Sequence, residues 1–158
     1  MEKLQKQIEQ LASHIDFYEK LNPAISQSSV GWHIEHSFLV LYAVVNSLKK
    51  SNPDDYKWRL NFKRILILNI LKKIPRGRGR APKSVLPEGN ITQSHLIEKS
   101  EVVRNSIKEL HSLKTKNYFK HPYFGDLKLK SAIRFLELHT EHHLKIIEDI
   151  LKTKNPET

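Results

Sequence analysis

The chain has 158 residues, with 27 Lys and Arg against 17 Asp and Glu, a formal net charge of +10 and 39% hydrophobic residues. This length fits one domain, and the apolar content excludes a disordered chain. The absence of cysteine excludes disulfides, thiolate metal ligands and a cysteine nucleophile. The first residues carry mixed charges, and every apolar run is too short to span a bilayer, so we expect a soluble cytoplasmic protein without a signal peptide.

The hydrophobic pattern predicts five helical segments and almost no strand. In chain order they cover about 2–21, 28–50, 57–74, 93–113 and 129–151, and a loop rich in Pro and Gly follows the third. Ser28 or Ser29 is expected to cap the second helix and Thr92 the fourth. The second helix is apolar nearly all round, which is typical of a helix buried among neighbours. The predicted fold is therefore all-α: a single domain over residues 1–158, built as an antiparallel four-helix bundle with a basic helix and loop inserted at about 57–90.

The positive charge is concentrated in this insertion. Ten of the 27 basic residues lie between Tyr56 and Pro87, where there is no Asp or Glu, so the other 17 balance the 17 acidic residues. The basic character is therefore a local feature that needs a local explanation.

The nine histidines are unevenly distributed. His33 and His36 lie on the second helix, and His139 and His143 occupy two inward positions one turn apart on the fifth. Imidazoles at i and i+4 converge on a point and are typical metal ligands, although backbone carbonyls or carboxylates also satisfy buried histidines. A third imidazole from the second helix, His33 or His36, completes a set that leaves a coordination position open, as in catalytic or ligand-binding metal sites. Thr140 stands where the zinc proteases of the His-Glu-x-x-His type have their Glu.

Three motifs carry a resemblance: Val-Gly-Trp-His-Ile-Glu-His at 30–36, His-Pro-Tyr-Phe-Gly-Asp-Leu at 121–127 and His-Thr-Glu-His-His-Leu at 139–144. In this order, over about residues 28–150, the sequence resembles the DinB/YfiT-like superfamily of metal-binding four-helix bundles, in a branch of largely unknown function. The resemblance implies that His36, His139 and His143 bind one divalent metal ion, zinc or nickel, whereas His33 does not match a ligand position.

The resemblance also implies a function class. The superfamily includes thiol transferases that use a low-molecular-weight thiol, isomerases and damage-inducible proteins. We therefore expect a metal-dependent transferase or hydrolase whose partner is a small molecule, such as a low-molecular-weight thiol, and a homodimer is compatible with this class. A metal-bound water or thiol would supply the nucleophile, which suits a chain without cysteine.

Several neighbours of the ligands are candidates for supporting roles. Glu35, Glu141, His142 and His33 could orient an imidazole or act as a base, although a Glu on a helix is more commonly a solvated surface residue. His121 is expected to fix its loop by hydrogen bonding. No pattern in the sequence identifies the catalytic residues beyond these candidates.

The basic insertion supports a rival function. Trp58, Phe62, Leu66, Ile70 and Ile74 recur every four residues along one face. Such a helix could dock on an anionic membrane or, with Arg76, Arg78 and Arg80, on nucleic acid, which would make the protein a non-enzymatic binding module. We favour packing of this face on the bundle, because no base-reading pattern accompanies the charge. The three arginines could instead attract an anionic substrate to the metal.

Overall fold

The structure, a computed structural model, describes residues 1–77 and 81–152. It confirms an all-α bundle. The four long helices are α1 (Glu2–Ser13), α2 (Val30–Lys50), α4 (Gln93–Lys108) and α5 (Leu129–Lys152). Between α2 and α4 lies the short helix α3 (Phe62–Arg64), which continues as π-helix over Ile65–Leu71. Among the described helices, none is long and apolar enough to cross a membrane.

The predicted helix starts are found where the caps were expected. Ser29 Oγ accepts a hydrogen bond from the Trp32 backbone N–H at the start of α2, and Thr92 Oγ1 accepts one from the His95 N–H at the start of α4. These side chains satisfy backbone donors that have no partner within the helix. The N-termini of both helices therefore follow from local sequence.

The first helix is shorter than predicted. It ends at Ser13, and a 3₁₀ turn follows over Ile15–Phe17. The carbonyl of Tyr18 accepts a hydrogen bond from the Gly31 N–H (2.8 Å), so the chain after α1 is tied to the start of α2. The Lys20 carbonyl likewise accepts from the Val30 N–H (2.9 Å), and helical periodicity does not reveal tertiary contacts of this kind. The fourth helix also shortens: α4 ends at Lys108, and a 3₁₀ turn covers Glu109–Ser112.

The segment predicted as a loop before the last helix forms a β-hairpin instead. Strands β1 (Tyr118–His121) and β2 (Gly125–Lys128) pair antiparallel. Asn117 anchors the hairpin, since its Nδ2 donates to the carbonyl of Leu48 at the end of α2 (3.0 Å). A two-stranded hairpin is marginal alone, so tertiary contacts of this kind decide whether it forms.

The helices form a square in which α2 packs against α4 and α5, and α1 packs against the same two helices. Ion pairs show the direction of α4. Glu35, near the start of α2, pairs with Lys99 (2.7 Å), and Lys49, at the end of α2, pairs with Glu109 just after α4. Helices α2 and α4 therefore run parallel, and the long connection 51–92 crosses the length of the bundle.

The antiparallel neighbours are α1 with α4 and α2 with α5. For the first pair, Glu9 bonds to Arg104 (2.8 Å) and Asp16 to Gln93 (2.8 Å). In the second pair, the Asn117 that contacts the end of α2 also accepts a hydrogen bond from the N–H of Leu129, the first residue of α5. The early part of α2 consequently faces the second half of α5, where the histidine motif lies.

The apolar face of the basic insertion does not pack on the bundle as predicted. Only Leu68 of α3 and its π-helical continuation is fully buried, and Ile74 is half-buried. The other four residues of the predicted inward stripe are exposed: Trp58, Phe62, Leu66 and Ile70.

Candidate metal centre

Three histidines from two facing helices meet in the bundle. His36 of α2 and His139 and His143 of α5 each offer a ring nitrogen, and these nitrogens lie within 4.8 Å of one another. The ring centroids of His139 and His143 are 4.6 Å apart, as expected one turn apart on one helix. The structure thus brings together the three residues that the family resemblance implied.

The long connection 51–92 holds the ring of His36 in place. Its Nδ1 lies 2.7 Å from the carbonyl oxygen of Val85, in a 3₁₀ turn over Lys83–Val85. A carbonyl only accepts, so Nδ1 carries the proton and Nε2 is the nitrogen available to an ion. The indole of Trp32 stacks on the same ring at 5.0 Å. The orientation of His36 therefore depends on a residue 49 positions away in sequence.

His143 is fixed by a second histidine, His33. Their Nδ1 atoms lie 3.0 Å apart, and Nε2 of His33 lies 2.9 Å from Ser26 Oγ. When Nδ1 of His143 donates and Nδ1 of His33 accepts, the lone pair of His143 Nε2 is available to an ion. The sequence placed His33 one turn before a ligand, and its position at i−3 from His36 was the only signal of this role.

His139 carries an unsatisfied atom. Its Nδ1 is buried and has no hydrogen-bond partner within the described residues, although part of the residue reaches the surface. The ring of Phe135 lies 5.6 Å away and offers no acceptor. A buried polar nitrogen without a partner costs about 1–3 kcal/mol. This donor set fits a bound cation, because coordination would engage imidazole nitrogens that the protein leaves unpaired.

The protonation state also suits a metal site. Burial lowers the pKa of His36, and it lowers the pKa of His139 and His143 well below their usual range, with neighbouring histidines adding to the effect. Burial, helped by His36 and His142, likewise lowers the pKa of His33 to about 4. At neutral pH these rings are uncharged, and a neutral imidazole has the lone pair that a ligand needs.

The carboxylates suggested by the sequence point elsewhere. Glu35 is buried, and its Oε1 accepts from Lys99 Nζ (2.7 Å) on α4 and lies 3.0 Å from His95 Nε2. Glu141 accepts a hydrogen bond from Gln7 of α1 (2.9 Å). Glu141 also pairs with Lys3 of α1 and with Lys145 on its own helix. The described partners of both carboxylates therefore lie outside the cluster of three histidines.

The remaining candidates divide into near and distant residues. The ring of His142 lies 5.1 Å from that of His143, and Nδ1 of His142 lies 3.0 Å from the carbonyl of Ile74. The connection 51–92 therefore contacts the histidines at Ile74 as well as at Val85. Arg76 forms an ion pair with Asp149 (2.6 Å). The other two arginines predicted to bind an anion, Arg78 and Arg80, lie outside the described residues.

His121 has the structural role that the sequence suggested. Its Nδ1 accepts hydrogen bonds from the backbone N–H groups of Tyr123 (3.0 Å) and Phe124 (3.2 Å). These bonds close the hairpin between β1 and β2.

The four long helices form a bundle, and two of them, which face each other, contribute the three neutral histidines. Fold and site together define a helical protein with a potential metal site. The family model of the DinB superfamily matches residues 5–147, and the chain therefore belongs to this superfamily. Searches among curated proteins and among solved structures found no match to the chain.

Proposed function

We propose that this protein binds one divalent metal ion, zinc or nickel, through His36, His139 and His143, and uses it to act on a small molecule. The observation that carries the proposal is the set of three ring nitrogens within 4.8 Å, one ring of which has a buried, unpartnered Nδ1. Imidazole nitrogens suit zinc and nickel better than they suit magnesium or calcium.

The surrounding residues hold the ligands in place. The Val85 carbonyl keeps the proton on Nδ1 of His36, and His33 engages Nδ1 of His143. Partners of this kind fix the tautomer and orientation of ligating histidines and raise their basicity. The centre would therefore present two imidazoles already oriented for coordination.

The proposed reaction class is transfer or hydrolysis on a small molecule, with a low-molecular-weight thiol as the favoured substrate. Three protein ligands leave a position for water or substrate, and an ion there lowers the pKa of a bound water or thiol. The thiol transferases of the superfamily support this choice. Because the chain has no cysteine, a reacting thiol would have to come from the substrate.

Metal analysis of untagged protein tests the binding site. We expect close to one zinc or nickel per chain, and at least an order of magnitude weaker binding in the double variant His139→Ala, His143→Ala. The matched control is His111→Ala, which removes an exposed histidine in the 3₁₀ turn after α4. Circular dichroism checks that each variant keeps its helices. Equal metal content in the double variant and the control would contradict the proposed site.

Activity is tested separately on zinc- and nickel-loaded protein with small thiols and electrophilic acceptors. We expect thiol consumption that requires metal and disappears in the double variant. Metal binding without turnover of any thiol or ester substrate would reject the enzymatic part and leave the binding site standing.

A further inference from the structure

Residues 57–73, here called the amphipathic segment, carry an unusual share of exposed apolar surface. Of the twelve large hydrophobic residues exposed in the described part of the chain, six lie in this segment: Trp58, Leu60, Phe62, Leu66, Ile70 and Leu71. Trp58 is 65% exposed, Phe62 76% and Ile70 66%. Concentrated apolar exposure of this kind marks an interaction surface rather than an ordinary solvated face.

The opposite side of the segment is attached to the protein. The side chain of Leu68 is buried, and Arg64 donates from Nη1 to the Asp126 carbonyl in β2. Asn61 donates from Nδ2 to the Tyr123 carbonyl (3.0 Å) and caps α3 by accepting from the Arg64 N–H (2.9 Å). The segment is therefore anchored on the hairpin, while most of its apolar side chains remain in solvent.

The amphipathic segment also carries unpaired cations. Five exposed basic residues belong to the segment: Lys57, Arg59, Lys63, Lys72 and Lys73. None of them forms an ion pair within the described residues, and the sequence has no Asp or Glu between Tyr56 and Pro87. The segment thus offers apolar contact and uncompensated positive charge together.

This combination selects among the possible occupants. A second copy of the chain would bring two sets of unpaired cations together, which like charges oppose. Nucleic acid would neutralise the cations but would leave the aliphatic side chains of Leu66, Ile70 and Leu71 without a matching surface. An anionic bilayer matches both the apolar side chains and the cations. The apolar side chains enter the region below the headgroups, and the charged ends of Lys and Arg remain among the headgroups.

We propose that the amphipathic segment docks the protein peripherally on a membrane surface that contains anionic lipid. Trp58, Phe62 and Ile70 insert at the interface, and the five cations contact the headgroups. Each Lys or Arg near such a surface adds to the attraction, so the five cations strengthen the binding that the inserted side chains provide. The residues of this surface are not among the proposed metal ligands, and the docking does not depend on the proposed reaction.

Co-sedimentation of the full-length protein with vesicles tests the proposal. The probe is phosphatidylcholine containing about one third phosphatidylserine, compared with pure phosphatidylcholine, at low and high salt. We expect at least about tenfold stronger binding to the anionic vesicles, decreasing as salt rises. Equal binding to both vesicle types, or none to the anionic vesicles at low salt, would overturn the proposal.

Two variants separate the apolar and the electrostatic contributions. The apolar variant combines Phe62→Ser with Ile70→Ser, and the charge variant combines Lys63→Glu with Lys72→Glu. Each should weaken vesicle binding by about tenfold or more. The matched controls are Ile97→Ser with Val102→Ser on α4, and Lys116→Glu with Lys130→Glu, all at exposed positions. Controls should stay within about twofold of the wild type. Equal losses in test and control variants would contradict docking by this segment.

Two further measurements distinguish the other occupants. In the first, the protein binds a DNA duplex but no vesicles, the charge variant loses DNA binding and the apolar variant keeps it. That result would show that the segment binds nucleic acid and not a membrane. A dimer in sedimentation analysis that the apolar variant dissociates, again without vesicle binding, would assign the surface to a second copy of the chain.

Discussion

Nδ1 of His33 lies 3.0 Å from Nδ1 of His143, and this contact joins α2 to α5 inside the bundle. His33 in turn reaches Ser26 Oγ, before the start of α2. The contact predicts a positioning role for His33 beside a proposed ligand, although the residue itself does not match a ligand position.

Replacing His33 should therefore weaken metal binding without removing a ligand. We expect His33→Phe to reduce zinc affinity by about 10- to 100-fold, the usual effect of losing a partner that orients a ligating histidine. Competition titration with a chromophoric chelator measures this change, and His111→Ala serves as the control. An affinity equal to that of the wild type would mean that His33 does not position His143.

Because Nδ1 of His139 has no partner, we expect that replacing this residue stabilises the metal-free protein and at the same time weakens metal binding. His139→Leu should raise the free energy of unfolding of the metal-free protein by about 1 kcal/mol, because a buried polar atom without a partner is removed. It should also abolish the stabilisation that zinc gives the wild type, which is about 2.7 kcal/mol at 100 times the Kd. Urea unfolding with and without zinc measures both effects.

The matched control for this variant is His142→Leu. Here Nδ1 has a partner, the Ile74 carbonyl, so the substitution should give no gain in stability. A metal-free His139→Leu protein less stable than the wild type would contradict the interpretation of His139.

His121 should make folding sensitive to acid. Burial lowers its pKa from 6.5 to about 4, and its Nδ1 must stay unprotonated to accept the two backbone hydrogen bonds of the hairpin. The unfolded chain binds the proton more readily, so the contribution to stability is fully present above pH 6.5 and is lost as the pH falls towards 4. The loss amounts to at most about 3 kcal/mol.

Comparison with His121→Asn isolates this effect from the other histidines. An Asn oxygen can accept the same backbone bonds and does not titrate, so the variant should lose less stability between pH 6.5 and 4. Chemical unfolding at several pH values gives both curves, and parallel curves would show that His121 is not responsible.

Glu35 is predicted to support the fold rather than the chemistry. Its buried carboxylate pairs with Lys99, so Lys99→Met should lower the free energy of unfolding by about 2 kcal/mol by removing a hydrogen bond to that charge. Glu35→Gln should keep zinc affinity within about twofold, because the side chain faces α4. A loss of zinc affinity in Glu35→Gln comparable to that of His33→Phe would place Glu35 in the metal centre instead.

The sequence by itself determined the features that depend on short-range pattern. The caps at Ser29 and Thr92 are side-chain bonds to backbone groups three residues away, so local residues decide them. The spacing of His139 and His143 places both on one helix face. The choice of His36 over His33 needed the family resemblance, because helical geometry allowed either.

Only the tertiary structure decided the features that depend on distant contacts. The bond from His36 to Val85 and the contact of His33 with His143 join residues 49 and 110 positions apart. The exposure of Phe62 and Ile70 was missed for the same reason: periodicity identifies an apolar stripe but does not say whether another element covers it. Burial is set by the packing of the whole chain, which local spacing does not contain.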